Sequence, residues 1–408
     1  MARWADDFPP PTRRADPRGG DGSRRRRSGV TGALAVVMTF ASALAARSAT
    51  AGASGRQGID ARAPAAMRTF APPTGEIYAG VSAPVDQYAA FLHAAGLQRV
   101  AIFDQYTTPD GSFGWILDEL RRLDLTGMVS WSLPGDGTLQ SVADGSEDGY
   151  IRRVARAVAA YGRPLFIRLD WEFNGTWYPW SAVGQDGQPV PGNSPADYVA
   201  AWRHVVDLFG ADHNVTFVWC PTLYDVSPRS GLSLGEWYPG NAYVGWIGVD
   251  AYPGSASWSW MQHGTDGLDA DYAFAKRMGR PMMIAEWALS SPGTGDDTAL
   301  MAAFVRWMLG HRLVQAELWY DYDDAASRGA DYVISAFPRS AAILREAMQS
   351  PRFLDSLAEP LHDPPGRTPV SLMDTAPAGG PRAWRARPTW APRRGRKPVV
   401  DREKTRAG

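Results

Sequence analysis

Two acidic residues set among aromatic side chains hold the most chemical information in this chain. The stretch 168–180, RLDWEFNGTWYPW, places Asp170 and Glu172 among Trp171, Phe173, Trp177, Tyr178 and Trp180. A further acid, Glu286, closes the apolar run Pro281–Ala285 and is followed by Trp287. Flat aromatic rings suit the C–H faces of a sugar, and cleaving a glycosidic bond needs a carboxylic acid to protonate the leaving oxygen. Two carboxyls about 5–5.5 Å apart make one a nucleophile, with retention; a gap of about 6.5–9.5 Å admits water and gives inversion. Trp177 and Trp180 are candidate stacking surfaces, with packing as the competing role. Asn174 either shapes the Asn-Gly turn or bonds a hydroxyl. Strand alternation puts Arg168, Asp170 and Glu172 on one face and points Trp171 away. Arg168 then pairs with Asp170 or orients the nucleophile.

Eight strand candidates position these acids: Ile77–Val81, Arg99–Tyr106, Gly127–Leu133, Leu165–Trp171, Val215–Cys220, Val244–Tyr252, Met282–Trp287 and Ala316–Tyr320. Helical stretches separate most of them. Ser194-Pro195 opens one, with Tyr198, Trp202, Val205 and Phe209 on a single face. Asp296–His311 reads in the same way. Eight β-α units in this length predict a (β/α)8 barrel; the competing class, a doubly wound open sheet, lacks its glycine-rich phosphate loop here. In a barrel the reacting residues stand at the C-terminal strand ends. That rule selects Asp104, Asp170, Glu172, Asp250, Tyr252, Glu286, Asp321, Asp323 and Asp324. Glu172 and Glu286 end the fourth and seventh strands and converge across the barrel mouth.

Composition narrows the alternatives. Seventeen Trp are too many for the core alone, so some are expected to meet ligand. One cysteine, Cys220, allows no intramolecular disulfide. The sequence has no HExxH or Cys/His cluster, no G-x-S-x-G elbow and no Walker A loop. No cofactor or metal is expected. The net charge of −1 combines +4 over residues 1–46, +8 over 381–408 and −13 between them. An acidic body argues against nucleic acid as its partner.

Arg24–Arg27 precede the apolar run 30–46 and small residues with A-x-A spacing, the form of an export signal over 1–51. If retained, the same run is a membrane anchor, so the chain is expected to be secreted or exported. Residues 52–75 read as a linker and 76–356 as the barrel domain. The Pro/Arg-rich stretch 357–408 reads as a disordered basic tail, either without a role or in weak contact with an anionic cell surface. Oligomeric state is not readable.

The motifs also carry a resemblance. RLDWEFNGTWYPW resembles the acid/base segment of glycoside hydrolase family 26, a retaining (β/α)8 group of β-mannanases, lichenases and β-1,3-xylanases. Phe217-Val-Trp-Cys-Pro-Thr is similar to its fifth strand, the segment from Trp237 to Tyr252 to its sixth, Arg280–Glu286 to its nucleophile strand and Glu317-Leu-Trp-Tyr to its eighth. The likeness spans about 77–345. It implies Glu172 as acid/base, held protonated by apolar neighbours, and Glu286 as nucleophile. Tyr252 would bond the nucleophile and Trp319 would form part of the sugar platform. Two departures concern substrate: Trp171 stands where the family usually has His, and Trp131 and Pro134 stand where mannanases often have one; Trp171 and Trp131 are themselves expected to contact the sugar. The implied substrate is a polysaccharide or oligosaccharide, whether β-mannan, β-glucan, xylan or an exopolysaccharide. The rival class is a non-catalytic carbohydrate-binding or cell-wall protein on a degenerate barrel.

Overall fold

A computed structural model describes residues 67–357, apart from 110–112, 134, 136, 211–213, 224–232, 255 and 328. The export signal, the linker up to residue 66, Pro134 and the basic tail from 358 lie outside the described residues. Eight parallel strands run in sequence order: β1 Ile77–Ser82, β2 Ile102–Thr107, β3 Gly127–Trp131, β4 Leu165–Leu169, β5 Val215–Trp219, β6 Trp246–Ala251, β7 Met282–Trp287 and β8 Val314–Tyr320. β8 pairs with β1, Tyr78 opposite Ala316 and Ser82 opposite Tyr320, so the sheet closes into a barrel. Every strand residue is buried except Tyr106, which is half-buried at the end of β2. Burial on both faces gives the strands their near-continuous apolar character.

Helices cover the outside. The major ones are α1 Tyr88–Ala95, α2 Phe113–Arg122, α3 Leu139–Ala143, α4 Asp148–Tyr161, α5 Pro195–Phe209, α6 Trp258–His263, α7 Leu268–Met278, α8 Thr298–Gly310 and α9 Pro338–Met348. Their starts follow local chemistry. Ser194 caps α5, with Pro195 in its first turn and a reciprocal bond to Asp197; Asp297 caps α8 through Ala299 and Leu300 N–H. The buried residues of α5 include Tyr198, Trp202, Val205 and Phe209, the face expected from their spacing.

Residues 67–75, expected as the end of a linker, instead pack on the barrel. Phe70 is buried edge-on to Phe166 near the start of β4, and Trp246 Nε1 at the start of β6 donates to Thr69 O. Phe217 N–H approaches Met67 Sδ at 3.4 Å, and Gln315 Nε2 donates to Pro72 O. These contacts seal the N-terminal end of the barrel, opposite the end that carries the acids.

Candidate active site

At the C-terminal end of the barrel the apolar interior gives way to a polar layer. Ser82, Asp104, Ser130, Arg168, Asp250 and Glu286 contribute to it from six different strands, and all are buried. Arg168 is its only cation among the described residues. Its Nη1 donates to both oxygens of Asp250, at 2.7 and 2.8 Å; Nη2 donates to Glu286 Oε1 and lies 3.6 Å from Asp104 Oδ2; Nε donates to Ser130 Oγ at 2.8 Å. The ring of Trp171 lies 5.2 Å from the guanidinium carbon and that of Tyr106 5.6 Å, both within cation–π range. Arg168 therefore orients Glu286 and does not pair with Asp170.

Glu286 receives two more donors. Tyr106 OH donates to Oε1 and Tyr252 OH to Oε2, each at 2.6 Å. Burial raises the pKa of Glu286, but Arg168, Tyr106 and Tyr252 outweigh it and hold the carboxyl below its ordinary value. The neighbouring acids go the other way. Burial pushes Asp104 up to about 6 against the pull of Arg168, and pushes Asp250 up as well. Burial also works against the charge of Arg168, but Asp250 and Glu286 more than offset it. One guanidinium thus serves three acids, and the negative charge concentrates on Glu286.

Glu172 reaches the same region by an irregular path. β4 ends at Leu169, and the backbone then enters the left-handed region at Asp170, φ 43°, and again at Glu172, φ 51°. Non-glycine residues there cost about 1–3 kcal/mol each and persist only when neighbours impose them. The neighbours are specific: Asp170 N–H donates to Trp131 O at 3.0 Å, Glu172 N–H donates to Cys220 O at 2.8 Å, and Asp170 Oδ1 accepts Leu133 N–H at 2.6 Å. Asp170 is thereby a buried structural acid, raised well above its ordinary value by burial. The expected alternation fails here for a physical reason, since two left-handed residues break the strand period. Trp171 does not point away; it covers Arg168. Glu172 Oε2 accepts Trp177 Nε1–H at 2.7 Å, an approach that Gly175 allows, because a Cβ there would lie 2.8 Å from the indole. Glu172 N–H bonds Cys220 O, Cys220 Sγ donates to Asp250 Oδ1 at 3.2 Å, and Asp250 shares Arg168 with Glu286, so one chain of contacts joins the two acids.

Several expected sugar contacts take other roles. Trp131 is fully buried, edge-on to Phe113, with Nε1 donating to Tyr150 OH, so it faces the helices. Trp319 is fully buried against Trp287 in the same outer layer, with Nε1 donating to Tyr332 O. Trp180 is buried, stacked on Tyr178 at 4.3 Å, with Nε1 donating to Trp171 O. Asn174 spends both ends of its amide on Thr222, Nδ2 donating to its O and Oδ1 accepting its N–H. None of these four presents a free face to a sugar in this arrangement. Trp177 and Tyr252 remain half-buried. The same alternation that turns Trp319 outward turns Tyr320 inward, edge-on to Tyr106 and Tyr252 and stacked on half-buried Tyr322 at 4.7 Å. Sequence reasoning listed Asp104 and Asp250 without a partner and did not single out Tyr106. The available signal was period: Tyr106 stands two residues after Asp104 on the same strand.

Residues 146–265 match the model of the family described as Glycosyl hydrolase family 26. Endoglucanase H of Acetivibrio thermocellus is 26% identical over 260 residues, which is 62% of this chain and 28% of that protein. Beta-1,3-xylanase TXYA of a Vibrio species is 27% identical over 161 residues, 38% of this chain and 30% of that protein. The chain thus spans less than a third of either relative. The modular endo-β-1,4-mannanase of Cellulomonas fimi superposes with a TM-score of 0.52 at 16% identity, over 72% of this chain and 77% of that one, a likeness of fold.

Proposed function

This chain carries a catalytic domain of glycosyl hydrolase family 26, and from that premise we propose that it hydrolyses β-linked polysaccharides with retention. The observation that carries the proposal is Glu286: a buried carboxylate that accepts from Arg168, Tyr106 and Tyr252, joined to Glu172 through Asp250 and Cys220. Glu172 gives its proton to the leaving oxygen as Glu286 attacks the anomeric carbon, and the C–O bond to the leaving sugar breaks. Glu286 becomes a neutral ester, and Arg168 keeps its bonds to Asp250 and Ser130. Glu172, now ionised, takes a proton from water; the hydroxide formed displaces Glu286 from the anomeric carbon. Half-buried Trp177 supports the reading as an aromatic wall beside the acid.

The named relatives and the Trp at position 171 favour glucan or xylan over mannan. The test is reducing-sugar release from β-glucan, β-1,3-xylan and β-mannan by wild type, Glu172→Ala and Glu286→Ala. We expect one polymer to be cleaved and both variants to lose at least about a thousandfold in rate. Full rate in Glu286→Ala overturns the mechanism; binding without hydrolysis by wild type overturns the enzyme reading. Arg24–Arg27 and the apolar run 30–46 support export, which fractionation of producing cells checks.

A further inference from the structure

One row of polar side chains crosses the first four strands. Ser82 on β1 stands opposite Asp104 on β2, and Ser130 on β3 stands opposite Arg168 on β4. A bond from Ser130 to Asp104 joins the two pairs, and all four side chains are fully buried. The hydrogens in this row run one way. Arg168 Nε has only a hydrogen to give, so Ser130 Oγ accepts it, at 2.8 Å. The single hydrogen of Ser130 then goes to Asp104, whose Oδ1 and Oδ2 lie 2.9 and 3.0 Å away. Ser82 Oγ donates to Asp104 Oδ2 from the other side, at 2.9 Å.

Asp104 therefore fixes the direction of the Ser130 hydroxyl, and Ser130 fixes one edge of the guanidinium. Arg168 Nη2 lies 3.6 Å from Asp104, beyond hydrogen-bond length, so the bonded route between them passes through Ser130. On its other two nitrogens the guanidinium is bonded to Asp250, Glu286 and Tyr106 OH. A planar fork cannot turn towards one partner without losing another. The hold matters most in the covalent intermediate. Glu286 is then an ester and a weaker acceptor for Nη2. In the second step it must leave as a carboxylate, and a donor already in place stabilises the charge as it develops.

We propose that Asp104 and Ser130 are positioning residues, a relay from β2 to β3 that keeps Arg168 aimed at Glu286 through both steps of the reaction. The inference rests on the hydrolase reading above. Ser130→Ala and Asp104→Ala break the relay from its two ends; Asp104→Asn keeps an acceptor for Ser130 without the charge. On the polymer cleaved by wild type, both Ala variants should lose about 10- to 100-fold in kcat, with KM within about threefold. A loosened Arg168 favours the ionised form of Glu286 less, so the acid limb of kcat/KM should move to higher pH in both. Asp104→Asn should turn over at least about fivefold faster than Asp104→Ala. Thermal melts check folding, and either Ala variant decides alone if the other is unfolded. A wild-type acid limb in the folded Ala variants leaves the row a packing role and overturns the relay. Equal rates in Asp104→Asn and Asp104→Ala assign the effect to charge and overturn it as well. If wild type cleaves no polymer, the hydrolase reading fails separately, and crystal structures of wild type and Ser130→Ala decide. A guanidinium displaced by about 1 Å or more supports the relay, and an unmoved one overturns it.

Discussion

At the scale of single residues, the site turns on how much donor capacity surrounds Glu286. Tyr106 supplies one of its three donors and also accepts from Arg168 Nη2 at 3.2 Å. Replacing it with Phe removes a bond that favours the ionised form of Glu286, so the carboxyl pKa rises. The acid limb of the kcat/KM profile of Tyr106→Phe should move to higher pH, with a rate loss of about 10- to 100-fold at the optimum. An unmoved acid limb would remove Tyr106 from the charge balance. This residue was poorly visible in sequence because Tyr reads as ordinary strand material. Glu172 and Glu286 were visible, since acids at the ends of apolar strands are rare and the barrel rule says where to look. The direction of Trp171 was not: it depends on left-handed backbone at Asp170 and Glu172, which no glycine announces. The bonds that impose it come from Trp131, Leu133 and Cys220, at and just past the ends of β3 and β5.

Elements explain the misplaced tryptophans. A barrel strand is buried on both faces, so hydropathy does not tell which face looks inward. Trp131 and Trp319 were placed at strand ends correctly and on the wrong face. Their outward turn builds the layer between barrel and helices, which also holds an unusual acid. Glu317 of β8 is fully buried, and its Oε2 accepts Trp287 Nε1–H at 2.7 Å. Burial pushes it up to about 8 from an ordinary 4.5, so the folded protein keeps it protonated at neutral pH. An acid with a raised folded pKa favours folding at low pH. Its contribution is present in full below about 4.5 and is lost as pH rises towards about 8. Glu317→Gln keeps an acceptor for Trp287 and cannot ionise. Its melting temperature should match wild type near pH 5 and exceed it by several degrees near pH 9, by about 2–4 °C for each kcal/mol. Equal melting at both pH values would mean that Glu317 ionises without cost.

For the molecule as a whole, the sequence-based barrel and its eight strands agree with the closed sheet, while strand ends shifted by up to three residues, as at Arg99 against Ile102. The N-terminal boundary differed more. Residues 67–75 carry no strong period and read as linker, because their partners, Phe166, Phe217, Trp246 and Gln315, are remote in sequence. A chain starting at residue 76 uncovers Phe166 and Trp246, two large apolar rings. It should melt lower than one starting at residue 64 by about 5 °C or more, given the area involved. Differential scanning calorimetry of the two chains makes the comparison; identical melting would return these residues to linker status.

The same sealing segment also bears on the order of assembly. Met67 meets Phe217 across 150 positions, Thr69 meets Trp246 across 177 and Pro72 meets Gln315 across 243. Contacts of such long range form slowly, because a large loop must close before any gain is felt. The stretch synthesised just ahead of β1 is therefore among the last to find its place, waiting on β8 near the far end of the domain. Until β8 has been made, Pro72 cannot meet Gln315, so the N-terminal end of the barrel is sealed only once the far end of the domain is in place.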